Sequence, residues 1–157
     1  MILEVCVDSV ESAVNAELGG ADRIELCGDL VVGGITPSLA LYERIREKVE
    51  IPIHVLLRPR FGDFLYSEEE MEVLIRQAKM FSEAGADNLV IGCLTPDGTL
   101  DLEKCQFTND SVNEKNEKPR GWPQTITGTK ISVPVTYYSC AVSAFFSCSC
   151  SLSAIRA

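Results

Sequence analysis

This 157-residue sequence is short of positive charge and has a single histidine. Lysine and arginine number 14 against 23 aspartates and glutamates, a formal net charge of −9. Such a surface has no basic patch to displace counterions from a phosphate backbone, which argues against nucleic acid as a partner. The one histidine, His54, sits mid-strand behind an apolar residue, a core or interior position on which no mechanism can be built. No CxxC pair occurs among the seven cysteines, so zinc ribbons and thioredoxin-like redox motifs are excluded. The opening residues, Met1 to Glu4, lack the basic and apolar regions of a signal peptide and the Arg/Ser-rich bias of a transit peptide. The expected compartment is therefore the cytoplasm, with the nucleus as a second one. An odd number of cysteines at irregular spacing reads as reduced thiols rather than a disulfide framework.

What is present is the composition of a globular domain: 46% hydrophobic and 24% charged residues exclude a disordered chain. The length suits one ordinary domain but not a complete eight-stranded β/α barrel, which needs about 250 residues. Charge divides the chain in two. Residues 1 to 106 carry 9 basic and 20 acidic groups, residues 107 to 157 carry 5 and 3, and the two parts are expected to be separate units.

In the first part the period of the apolar residues alternates between two and 3.6. Leu3-Glu4-Val5-Cys6-Val7-Asp8 has the strand period. A helix follows, capped by Asp8 or Ser9, with Val10, Ala13, Val14 and Leu18 on one face and Gly19-Gly20 at its exit. Arg23 to Cys27 is a second strand, after which Thr36-Pro37 supplies a cap and an N1 proline for a helix bearing Leu39, Tyr42, Ile45 and Val49. Ile51 to Arg58 is a third strand. Ser67 to Glu70 is a capping box that opens a helix carrying Met71, Leu74, Ile75, Ala78 and Phe81. Gly85-Ala86-Asp87 repeats the exit at Gly20-Ala21-Asp22, and Asn88 to Leu94 is a fourth strand. Strict alternation implies parallel pairing with right-handed crossovers, in a half barrel or an open sheet.

Four strings then identify a resemblance: Leu3 to Ser9, Gly20 to Cys27, Arg58-Pro59-Arg60 with Gly62-Asp63-Phe64, and Leu94-Thr95 with Asp97-Gly98. In order and interval they resemble the CutC family over roughly residues 1 to 106. The resemblance implies an α/β fold, a partial TIM-type (β/α) barrel made of the first four β/α units, and an association with copper handling in the cytoplasm. The chain departs from the family at Ile35, where a second threonine is usual, and at Phe61, where glycine is usual. It also lacks the family's strands five to eight. Pro134 to Tyr137 only faintly echoes the fifth.

The first two strands repeat at an offset of 21, pairing Glu4 with Glu25, Cys6 with Cys27 and Asp8 with Asp29. Because side chains alternate, Glu4, Cys6 and Asp8 share a face, and with helices outside the barrel that face lines the interior. Two thiolates on neighbouring strands suit Cu(I), a soft ion that tolerates low coordination. Strands about 4.8 Å apart match two metal–sulfur bonds of roughly 2.3 Å each, although barrel shear can set the sulfurs at different heights. The competing reading makes both thiols small buried residues.

Arg58 and Arg60 lie at the C-terminal end of the third strand, where they can clamp a carboxylate or phosphate. Alternatively, Arg58 neutralises Glu4 and Glu25. Asp63 is a loop acid, Cys93 and Cys105 read as packing residues, and the Gly33-Gly34 loop is weak evidence for an anion site.

With the resemblance, the reading is a copper homeostasis protein that binds Cu(I) through Cys6 and Cys27. The rivals are an enzyme for a small anionic substrate, using Glu4, Asp8 or Glu25 with Arg58, Arg60 or Asp63, and a truncated isoform with neither activity. Two open sheet edges would invite a homo-oligomer. Residues 107 to 122 read as loop or disorder, and the charge-free run from Ile131 to Ile155 as an irregular tail rather than a membrane span, given Pro134 and its many hydroxyls. Ser147 to Ser151 has the look of low complexity, and splicing or a frameshift would account for the change in character after Cys105.

Overall fold

The computed structural model describes residues 2–113 and 155–156. Parallel strands β1 (Leu3–Val7), β2 (Arg23–Leu26), β3 (Ile53–Leu57) and β4 (Asn88–Ile91) alternate with helices α1 (Val10–Leu18), α2 (Leu39–Arg46), α3 (Glu68–Glu83) and α4 (Leu102–Asn113). A short 3₁₀ turn, Leu30–Val32, interrupts the path from β2 to α2. The sheet order is β4-β3-β2-β1-β5, where β5 (Ile155–Arg156) pairs antiparallel with β1. β5 therefore covers the β1 edge that the sequence left open, which leaves the sheet bounded by β4 and β5 among the described residues.

Helices α1 to α3 start where a hydroxyl satisfies an orphan amide, and α4 where the Asp101 carboxylate does. Ser9 and Ser12 cap α1 reciprocally, and Ser67 and Glu70 form the expected box on α3. The start of α2 differs from the expectation. Ser38, not Thr36, is its cap, accepting from the Leu41 amide at 3.2 Å. The Thr36 hydroxyl is engaged elsewhere, accepting from the Arg58 amide at 2.8 Å, so the chain stays extended through Pro37 until Ser38.

The repeated Gly-Ala-Asp exits do more than end helices. Gly20 and Gly85 adopt the left-handed φ values of 86° and 84°, and Ala21 and Ala86 are buried. Each aspartate then reaches the first amide of a neighbouring strand. Asp22 accepts from Leu3 N at 2.6 Å, and Asp87 accepts from Ile53 N at 2.8 Å and from Arg46 at 3.2 Å. The same three residues thus turn the chain and pin the preceding parallel strand at its N-terminal end.

One sheet face is covered by helices and is almost wholly apolar. Val7, Ile24, Leu26, Ile53, Val55 and Leu57 pack against Ala13, Tyr42, Ile45, Leu74, Ala78 and Phe81 in a single core. Tyr42 and Phe81 meet edge to face at 5.7 Å, joining α2 to α3. The helix α4 crosses the compositional boundary at residue 106. Cys105, Thr108 and Val112 are buried at helical spacing, a period that the polar residues between them hide in the sequence. The echo at Pro134 to Tyr137 and the Ser147 to Ser151 run lie outside the described residues. Among the described residues no helix is long and apolar enough to cross a membrane.

Replacing Asp87 by Ala removes the acceptor for Ile53 N and a partner of Arg46. Urea unfolding should show a loss of about 1–3 kcal/mol; an unchanged midpoint would show that the aspartate does not hold β3.

Candidate functional site

The uncovered sheet face carries the polar residues, and the strand register decides which of them meet. β1 pairs with β2 at an offset of 19, not 21: Glu4 lies beside Arg23 and Cys6 beside Glu25. The two-residue stagger keeps every side chain on the expected face, since the strand period is two, but it changes all the partners. It also removes a like-charge contact that the offset of 21 would have created between Glu4 and Glu25.

Three levels follow along this face. At the N-terminal end, Glu4 forms an ion pair with Arg23 and lies 3.4 Å from Nδ1 of His54. The bond to His54, reinforced by Arg23, holds the Glu4 carboxyl below the usual range despite its partial burial. In the middle, the half-buried Cys6 thiol donates to Glu25 Oε2 at 3.3 Å, and Glu25 itself is buried. Cys27, which is fully buried, follows β2 and donates to the Val7 carbonyl through its backbone amide at 2.9 Å. Its thiol donates to the Glu25 carbonyl at 3.8 Å; the neighbouring Cys6 thiol, burial and the nearby Glu25 charge push its pKa up. At the top, exposed Asp8 accepts from Leu30 N at 3.4 Å.

Cys6 and Cys27 are therefore neighbours, as the sequence suggested, but diagonally and with Glu25 against the first of them. No cluster of three His, Cys, Asp or Glu ligands occurs among the described residues. The arrangement offers two thiols, a carboxylate that accepts a thiol proton, and no third sulfur.

Glycine loops roof this level. Gly33 and Gly34 take φ values of 88° and 84°, and a Cβ on Gly34 would stand 3.0 Å from Leu56 Cδ2 and 3.4 Å from Cys27 Cβ. The loop is held by Arg58, which is 5% exposed. Its guanidinium donates to the carbonyls of Gly33 (3.2 Å), Gly34 (2.9 Å) and Gly62, and stacks 4.6 Å from the centre of the Phe64 ring. The residue that sequence reasoning assigned either to an anion or to Glu4 and Glu25 thus joins two loops, and Arg23 with His54 meets Glu4 instead.

Arg60 is committed in a similar way. It pairs with Glu70 at 2.5 Å and with Asp63 at 2.9 Å, and donates to the Asp63 and Leu65 carbonyls. These bonds draw the Asp63 and Glu70 carboxyls down and push the guanidinium up. Asp63 also accepts from Leu65 N at 3.1 Å, closing the loop on itself. The Ile35 backbone bridges Gly28 with two bonds of 2.8 Å, and Phe61 is exposed on the Arg60 loop. A shallow groove beside that loop, lined by Pro59, Arg60, Glu69, Glu70 and Val73, includes none of the interior-face residues.

Sequence reasoning missed Arg23 as a partner of Glu4. The signal was available, because Arg23 lies two residues before Glu25 and so on the same face, where acidic groups need a cation.

The model of the CutC family matches residues 1–113. The chain belongs to the CutC family. Over 107 residues it is 58% identical to the human copper homeostasis protein cutC homolog, covering 66% of this chain and 38% of that protein. It is 50% identical over 105 residues to the Drosophila melanogaster homolog of that name, covering 66% of this chain and 40% of that one. A CutC crystal structure from Streptococcus agalactiae superposes with a TM-score of 0.66 at 30% identity, covering 73% of this chain and 56% of its own. The chain spans about two fifths of the length of the curated CutC relatives it matches. Its parallel sheet with alternating helices is accordingly part of a CutC-type β/α barrel.

The depressed Glu4 carboxyl contributes stability that is complete above its unfolded value, about 4.3, and is lost as pH falls through the lower folded value. Acid unfolding followed by circular dichroism should thus be shallower for Glu4→Gln than for the unaltered chain. Identical pH profiles would show that the Arg23 and His54 contacts carry no linked stability.

Proposed function

We propose that the chain takes part in copper homeostasis by binding Cu(I) between the thiolates of Cys6 and Cys27. The observation that carries this reading is the register of β1 on β2, which sets Cys6 beside Glu25 and brings Cys27, bonded through its amide to the Val7 carbonyl, to the same uncovered face one step further along. Soft thiolates select Cu(I), which accepts two-coordinate geometry. Two bonds of roughly 2.3 Å span about 4.6 Å when collinear, close to the spacing of neighbouring strands, about 4.8 Å, so side-chain rotations decide how the two sulfurs close on the ion.

The neighbouring groups have roles in that step. Ligation requires both sulfurs to lose their protons. Glu25 Oε2, 3.3 Å from the Cys6 sulfur, is placed to accept the first. The second comes from Cys27, whose raised pKa makes metal compete with a proton. The Gly34 loop and Leu56 pack against Cys27 and restrict water there, with Arg58 holding the loop in place. Copper is cargo in this reading, and a reducing compartment, the cytoplasm, is where such thiols would persist.

An enzyme acting on a small anion has less support. Its clamp would be Arg58 or Arg60, and both guanidinium groups are already bonded to loop carbonyls or carboxylates.

The test is a Cu(I) titration against a competing chelator, in non-thiol reductant, on the chain with Cys140, Cys148 and Cys150 replaced by Ser. Cys6→Ser or Cys27→Ser should weaken uptake at the interior site at least tenfold. Its apparent Kd should fall about tenfold per pH unit between pH 6 and 8 if one proton leaves per metal. Uptake indifferent to both substitutions would overturn the proposal.

A further inference from the structure

A second group of sulfurs lies on the opposite face of the sheet, outside the site just described. Cys93 follows β4 and, at 0% exposed, points into the helix-covered core. Cys105 stands in the first turns of α4 at 3% exposed, and Met71 in the first turns of α3 at 6%. Cys93 Sγ is 3.8 Å from Met71 Sδ. The Cys105 thiol faces the same core, and its pKa is lowered to about 7, chiefly by the neighbouring Cys93 thiol, whose own pKa Cys105 and burial push up.

The backbone holds the two cysteines together. Asp101 N donates to the Cys93 carbonyl at 2.9 Å, and Cys105 N donates to the Asp101 carbonyl at 3.1 Å. Asp101 Oδ1 also accepts from Lys104 N at 3.0 Å, which fixes the start of α4 beside the strand end. The end of β4, the start of α3 and the start of α4 thus each bring one buried sulfur to the same part of the core.

We propose that Met71, Cys93 and Cys105 form a second soft-metal site, a three-sulfur cage for a monovalent d¹⁰ ion such as Cu(I). Three sulfurs placed roughly 2.3 Å from a central ion in a plane are about 4.0 Å apart, and the Cys93–Met71 separation is 3.8 Å. Two thiolates with a thioether form a donor set that favours Cu(I) over harder ions. Methionine's flexible side chain lets its sulfur take up the remaining adjustment. Ligation changes no oxidation state: the ion enters as Cu(I), and the protons of Cys93 and Cys105 leave to solvent. The cage does not depend on Cys6 and Cys27, which lie across the sheet.

The test uses the full chain with Cys140, Cys148 and Cys150 replaced by Ser as parent, and Cu(I) supplied as its bicinchoninate complex. The parent should take up two Cu(I) per chain. Adding Cys6→Ser and Cys27→Ser should leave one, and further adding Cys105→Ser should leave none. Met71→Leu preserves volume and so the core; in the parent it should weaken the second uptake at least tenfold with an unchanged circular dichroism spectrum. The proposal is overturned if a folded Cys6→Ser/Cys27→Ser chain takes up no Cu(I), or if Met71→Leu leaves the second affinity unchanged. A parent that binds one ion, lost with Cys105→Ser but not with Cys6→Ser/Cys27→Ser, would support this cage and count against the interior site instead.

Discussion

Parallel pairing of β1 with β2 at an offset of 19 sets Glu4 beside Arg23 and Cys6 beside Glu25, and the polar contacts of the interior face follow from that offset. A register of 21 would keep the same residues on the same face yet leave Glu4 against Glu25, two carboxylates with no cation between them. With the actual stagger, the acid at the N-terminal end is neutralised by Arg23 and His54. Glu25 becomes the hydrogen-bond acceptor of a thiol. Cys27 falls one level above Cys6 but within reach of it. The charge pairing and the shared contact of both thiols with Glu25 are thus consequences of one geometric constraint.

That constraint is maintained from both ends of the sheet. At the N-terminal ends, Asp22 and Asp87 each bind the first amide of the adjacent strand, which opposes slippage of β1 and β3. At the C-terminal ends, Arg58 gathers the carbonyls of Gly33, Gly34 and Gly62 and so fixes the loop that covers Cys27. A buried guanidinium is costly unless its donors are used. Here the two terminal nitrogens bond three backbone carbonyls and the plane lies over the face of Phe64, while buried Nε makes no hydrogen bond among the described residues, and the loops gain a shared anchor. Arg60 does the same further out for the loop leading to α3.

The alternation of strand and helix, the Ser67 box and the inward-facing Glu/Cys set were legible from periodicity, because the periods of two and 3.6 are written directly in Leu3 to Asp8 and in Met71 to Phe81. Partners across strands were not. The similarity of Glu4-Val5-Cys6 to Glu25-Leu26-Cys27 suggested an alignment of like with like, whereas hydrogen-bond register follows barrel shear and charge pairing. Thr36 looked like a cap, but its hydroxyl serves Arg58. The helix α4 was not legible in the sequence, where 107 to 113 read as loop, because Cys105, Thr108 and Val112 are separated by polar residues and burial of a threonine is not visible in a hydropathy pattern. Cys93 and Cys105 were legible as buried residues; the contact of Cys93 with Met71 depends on how α3 packs against the end of β4.

The central claim is that the register brings the sulfurs of Cys6 and Cys27 together as a ligand pair. Copper K-edge absorption on a chain whose only cysteines are Cys6 and Cys27, loaded with one Cu(I), tests it most directly. The account predicts a first shell of two sulfurs at no more than roughly 2.3 Å, collapsing to one when either cysteine is serine. A first shell dominated by nitrogen or oxygen, or one unchanged by Cys27→Ser, would contradict it.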